Sequence, residues 1–291
     1  MALPRNSNGR CMHMRNGELS PKLGRWLALA TECRALSENL LAEIGPPNKA
    51  AFSLEHLLRL ILLVLTAKAC DTFDALVLLC RSGWGVEASV LLRVLLETAA
   101  NAAFVKALPE PGLFLYAEST AKSIGDYLTA IDWAERLEGD LPPDVLGRRA
   151  AAEREREEAV KWLESFLGVP ARSDTLAWDK KGKRRYWSDI SIERRMRLAG
   201  MESWYGTVYR LMCTGVHAAG GIQSTYLDIE PTPGLRCGPK VGWAEMVLPY
   251  ACQVFLLHLG VIGEVFAADN AVLIEAQRQR LSALHGMMRS E

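Results

Sequence analysis

The stretch Ala88–Val105 reads ASVLLRVLLETAANAAFV, an apolar run at helical spacing broken by only two charges, Arg93 and Glu97. A helix this greasy needs other elements around it, so the rest of the chain has to supply a core. Burying either ion alone would cost several kcal/mol, on the order of what a whole domain has to spare, so each must find a partner. Their four-residue spacing places both on one face, where they either pair with each other or point jointly at a third group. The pair is therefore either a structural network inside a core or the floor of a site. Both readings stay open at this point.

The chain can build that core. Its 291 residues are 49% apolar, enough for one large domain or two smaller ones. Lys+Arg and Asp+Glu both number 34, so no global charge favours nucleic acid or an anionic membrane surface, and any such case must rest on a local patch. The seven cysteines are odd in number, form no CxxC pair and fall mostly in apolar runs, which fits a reducing, cytoplasmic setting. The opening MALPRNSNGRCMHMRNGELS lacks the apolar core of a secretory signal, and residues 1–19 read as a loose tail. No membrane span is expected. Arg59, Lys68, Asp71 and Asp74 interrupt the run Leu57–Cys80, and Pro249, Gln253 and His258 interrupt the uncharged run Met246–Gly263.

Apolar residues recur at helical spacing nearly everywhere, and alternating runs bounded by turns are scarce. The fold class is all-α: a single helical-bundle-like domain of about eight to nine helices with irregular loops, over residues 20–291. Proline and glycine punctuation places helices near Ser20–Ile44, Ser53–Cys80 and Val86–Leu108, the third ended by PEPG. Further helices are expected near Leu113–Leu137 and Asp144–Leu167, then Ile190–Ala199 and Glu202–Ala218 beyond a basic loop at 169–188. An irregular loop at 219–242 leads to Trp243–Ala267 and to Asn270–Met288, which Asp269 can cap. The apolar final helices could form a homodimer face.

A second constellation lies in ESWYGTVYRLMCTGVHAAGG. On one helix Tyr209 falls four residues after Tyr205, and Arg210 and His217 fall two turns apart on one face. A histidine at a helix C-terminus has its cation favoured by the dipole, near its titration range. The bland alternative is a satisfied structural histidine. Metal binding is not expected, since the five histidines form no HxxxH or HExxH and no Cys/His spacing suits zinc. Nor is a cofactor expected: the chain has no GxSxG elbow, Walker loop or GxGxxG. The run Lys180, Lys181, Lys183, Arg184 and Arg185, flanked by Trp178, Tyr186 and Trp187, carries the basic and aromatic chemistry that holds phosphates and stacks bases, so RNA is a candidate partner. A solvated loop is the default for such a run.

Taken together, SVLLRVLLETAANAAFV, YWSDI and WYGTVYRLMCTGVHAA resemble the signature segments of the domain of unknown function 5677, an uncharacterised and mostly bacterial family. The resemblance runs from about Leu57 to Tyr226. It puts the family's Arg-x-x-x-Glu at Arg93 and Glu97, its aromatic position at Trp187, and its Tyr-Arg…His segment at Tyr205, Tyr209, Arg210 and His217. It implies a helical fold in which the two polar segments meet, and no established activity. Cys213, Ala218 and Ala219 stand where similar proteins carry Ser or Pro, leaving His217 fewer hydrogen-bonding neighbours. A weaker similarity, through Arg210-x6-His217, is to HEPN proteins, helical domains that often act as metal-independent ribonucleases in toxin and phage-defence systems. Leu211 departs from their polar residue after the Arg. That similarity implies His217 as general acid/base, Arg210 as phosphate stabiliser and Glu97 as the group that orients the histidine. The leading expectation is a binding or regulatory module in bacterial defence or stress, with Arg93, Tyr205, Tyr209 and Trp187 lining its ligand; the rival is the ribonuclease.

Overall fold

A computed structural model describes residues 20–44, 53–139, 142–168, 172–185, 187–216, 227–228, 234–235, 239–266, 274–280 and 282–283. The fold is all-α. Its helices are α1 (Pro21–Ile44), α2 (Leu54–Arg81), α3 (Gly85–Ala107), α4 (Pro109–Glu138), α5 (Pro143–Phe166), α6 (Ile192–Leu198), α7 (Glu202–Trp204), α8 (Arg210–Val216) and α9 (Val241–Phe266), and residues 274–280 are helical as well. Among the described residues the strands are two residues long: β1 (Leu227–Asp228) pairs antiparallel with β2 (Gly234–Leu235).

Contacts gather the chain into two compact units. One is drawn from Met1–Pro47, Leu62–Ala102 and Met201–Glu291, the other from Asn48–Ile61 and Ala103–Gly200, and the divisions fall inside α2 and α3.

In the first unit, α1 starts where Ser20 accepts the Leu23 N–H at 3.1 Å, with Pro21 in the first turn, where its missing N–H costs nothing. Its buried stripe, Leu23, Trp26, Leu27, Ala30, Cys33 and Leu40, follows the helical period and packs on α9. Phe73 of α2 stacks on Phe255 of α9 with ring centroids 4.2 Å apart. The α2–α3 turn closes at Gly83, whose φ of 78° suits glycine. Gly85 then lies so close to α9 that a Cβ there would stand 2.1 Å from the Ala244 nitrogen, so the position admits no side chain. Helices α3 and α9 are long and apolar enough to cross a membrane, yet 61% and 72% of their most apolar windows lie buried within the fold, as in core helices.

The second unit holds the paired helices α4 and α5. Arg149 of α5 bridges Asp132 (2.7 Å) and Glu135 (3.0 Å) of α4 and Glu153 of its own helix (3.2 Å). The sequence PEPG is expected to end one helix and delay the next to Leu113. Instead α4 begins at Pro109, because a proline in a first turn sacrifices no helical hydrogen bond and arrives with the right φ. Between 169 and 188 the described residues include a hairpin bridged at Trp178 and Arg184, followed by a 3-10 turn at Trp187–Asp189. Ser191 then caps α6 by accepting the Arg194 N–H at 3.2 Å.

Candidate functional site

Most of α3 is buried, and its partly exposed positions fall on one stripe that includes Val90, Arg93, Val94 and Glu97. The two charges sit on that stripe and make the pair their spacing allows, with Arg93 Nε donating to Glu97 Oε1 at 3.0 Å. Their side chains keep 24% and 34% of their exposure, so the pair lies at the edge of the core, neither sealed nor fully solvated.

The third partner comes from more than a hundred residues on. Tyr209 is buried, and its hydroxyl donates to the same Glu97 Oε1 at 2.9 Å. Its ring also receives the Arg93 guanidinium, with Cζ 5.1 Å from the ring centroid, a cation–π contact. Tyr205 stacks on Tyr209 at 5.3 Å between centroids. The sequence places these tyrosines four apart on a regular helix, but the structure inserts a π-helical turn over Tyr205–Tyr209, where the Arg210 N–H reaches back five residues to Tyr205 O. A π-turn houses one extra residue and re-aims the helix beyond it.

The electrostatics follow from these contacts. Burial, reinforced by the Glu97 carboxylate, pushes the Tyr209 phenol up to about 12, so at neutral pH it keeps its proton and donates. Burial opposes the Arg93 charge, but the hydrogen bond and the charge of Glu97 outweigh that and raise the guanidinium above its usual value, with Tyr209 and Cys213 close enough to add to it where they ionise. Cys213, half-buried and reduced, therefore belongs to this neighbourhood. Its signal in the sequence is its place four residues after Tyr209, on the same helical face.

Among the described residues, the other candidates make none of these side-chain contacts. Arg210 is exposed at the start of α8. His217 lies outside the described residues, as do Tyr186, the tail at 1–19, the cap at Asp269 and most of the loop at 219–242. Trp187 belongs to the second unit, where it packs edge-on against Phe104 (5.4 Å) and Tyr116 (5.5 Å) beneath the Arg195 guanidinium (4.8 Å). Its backbone N–H donates to Ser119 at 3.0 Å. Lys180, Lys181 and Lys183 are exposed, Arg185 is half-buried, and Arg184 turns to Glu118 at 3.4 Å. Among the described residues no three His, Cys, Asp or Glu side chains stand together as a metal site.

The chain belongs to DUF5677, a family of unknown function, whose profile matches residues 59–233. All the candidate residues of both units lie inside that span. No curated protein and no solved structure matches the chain.

Proposed function

We propose that the protein is a binding or regulatory module whose ligand meets the chain where the partly exposed stripe of α3 faces the π-turn. Arg93, Glu97 and Tyr209 hold the geometry there, Tyr205 and Arg210 face the ligand, and a small anionic group is the chemistry they suit. The observation that carries this reading is the double engagement of Glu97 Oε1 by Arg93 and Tyr209. A phenol pushed up to about 12 is a poor proton donor to substrate, and the Glu97 oxygen it donates to already accepts the Arg93 guanidinium; such groups are good fasteners. The remaining exposure of Arg93 and Glu97 leaves the edge of the cluster within reach of a solute. π-Turns of this kind recur at functional sites, and Arg210 stands just beyond this one.

Native mass spectrometry of the full chain purified from cells tests the reading, with wild type beside Arg210→Ala. A bound small anion that the variant loses is the expected result. A wild type that carries none, and that gains no thermal stability from inorganic phosphate, nucleotides or dicarboxylates, overturns it.

One observation favours a second reading, a metal-independent ribonuclease acting in defence or stress: Arg210 is exposed and makes no ion pair among the described residues, seven positions before His217. On that reading Arg210 stabilises the phosphate and His217 moves the proton. Cleavage of labelled RNA in EDTA, abolished by both Arg210→Ala and His217→Ala, would replace the first reading with this one.

A further inference from the structure

The basic segment after α5 is built as a rigid turn. The Asp179 N–H donates to Lys183 O (2.8 Å), the Gly182 N–H to Asp179 O (3.1 Å) and the Arg185 N–H to Ala177 O (2.8 Å). Asp179 Oδ1 accepts the backbone N–H groups of both Lys181 and Lys183 at 2.8 Å, and Gly182 takes the φ of 72° that the turn needs. The single carboxylate of the turn is thus directed at its own backbone. Lys180, Lys181 and Lys183 extend into solvent, and none makes an ion pair among the described residues. Side chains alternate along the returning strand, so Arg184 turns the opposite way, to Glu118 and over the Trp178 ring at 5.9 Å.

Among the described residues, the two tryptophans that flank this run, Trp178 and Trp187, do not serve as a stacking platform. The guanidiniums of Arg172 (5.7 Å) and Arg184 stand over the Trp178 ring, and Trp187 packs inward on Phe104 and Tyr116. Single-strand binders depend on open rings for their bases. A membrane-docking turn needs an apolar residue at its tip, where this one has glycine and lysines. What is left is a preformed row of compact point charges with no bidentate fork, chemistry that meets phosphates without reading bases.

We propose that the Trp178–Arg185 hairpin binds the phosphate backbone of a nucleic-acid duplex, with Lys180, Lys181 and Lys183 as its contacts and no base readout. Because the turn is closed by its own hydrogen bonds, little ordering cost falls on binding. The zero net charge of the chain makes the attraction local, so it is expected to be weak and steeply salt-dependent. This inference stands apart from the reading of the Arg93, Glu97 and Tyr209 cluster.

Fluorescence anisotropy of the full chain on a short labelled RNA duplex, the matching DNA duplex and one separated strand tests it between ~50 and ~200 mM salt. Wild type is expected to bind at least one duplex more tightly than the strand, and the two duplex arms show whether RNA or DNA is held. Lys180→Ala/Lys181→Ala/Lys183→Ala is expected to keep the wild-type melting curve, lose roughly tenfold or more in affinity at low salt, and flatten the salt slope by about 0.9 per contact removed. Asp179→Ala keeps all three charges but loosens the turn, so it should weaken binding with the slope unchanged. The proposal is overturned if neither duplex binds at ~50 mM salt, or if the triple variant binds as wild type does. It is also overturned if the strand binds better, or if phosphatidylserine vesicles bind through these lysines while duplexes do not.

Discussion

On α3, Arg93 and Glu97 turn their polar atoms on one another and draw in Tyr209, while on the Trp178–Arg185 hairpin the one carboxylate turns to the backbone and three ammonium groups are left in water. The contrast arises from the surroundings. Ions at the edge of a buried helix must be partnered, because desolvation penalises each of them, whereas ions at a solvated turn keep their hydration and stay available. Sequence alone makes the hairpin look like an ordinary charged loop and the α3 pair look like the exception. In the structure, the conspicuous pair is engaged with itself and with Tyr209, and the ordinary run keeps its three ammonium groups in solvent.

The comparison is most sharply tested by a group that admits no charge. His258 is fully buried in the first unit, where Thr66 donates to Leu62 O at 2.7 Å and so accepts from His258 Nε2 at 3.1 Å. Burial lowers its pKa to about 4, below the unfolded value of about 6.5, so the unfolded chain binds the extra proton. The stability this neutral ring contributes is complete above about pH 6.5 and is lost as pH falls towards 4, by roughly 3 kcal/mol. His258→Leu should remove that component, and denaturant midpoints for both proteins across this range would check it. Equal acid slopes would show that His258 is not held neutral.

Glu97→Ala should come next in size. It leaves Arg93 without its carboxylate and Tyr209 without an acceptor; with about a third of the Glu97 side chain exposed, solvent offsets part of the cost. A loss of roughly 2 kcal/mol, or about 5 °C in Tm, is expected in thermal unfolding. An unchanged melting curve would mean that the cluster fastens nothing. Tyr209→Phe keeps the ring over Arg93 and removes one hydrogen bond, so it should cost about 1 kcal/mol. Combined with Glu97→Ala it should cost less than the sum of the two, because both variants delete the same bond. The smallest effect is expected at the hairpin, where alanine at Lys180, Lys181 and Lys183 should move stability by no more than ~0.5 kcal/mol. A larger loss would mean that those charges are structural after all.

Much of the architecture could be read from the sequence. The helical period and the proline and glycine punctuation located the long helices, and the i,i+4 spacing located the Arg93/Glu97 pair. The meeting of that pair with Tyr209 was anticipated only through family resemblance, since no local pattern encodes a contact across 112 positions. Two features escaped for different reasons. The early start of α4 was hidden because Pro109 breaks a helix in its interior and opens one in its first turn, and the residue alone does not say which. The inward turn of Trp187 was hidden because an aromatic beside a basic run has the same sequence whether its ring faces solvent or Phe104.

The π-turn at Tyr205–Tyr209 means that the α3 cluster is encoded by a count as well as by a composition. Loss of a single codon, that of exposed Gly206 or Thr207, would remove no partner of Arg93 or Glu97 and would let the segment relax to a plain α-helix. Because the π-turn houses the extra residue, the helix on either side would keep close to its present phase, and the change would fall on the turn that carries Tyr209 past Glu97. For this segment a one-residue deletion is the change the turn can absorb, whereas an insertion has no second slot to house it and would turn the helix beyond by about 100°, so its length is as much a part of the cluster as its tyrosines.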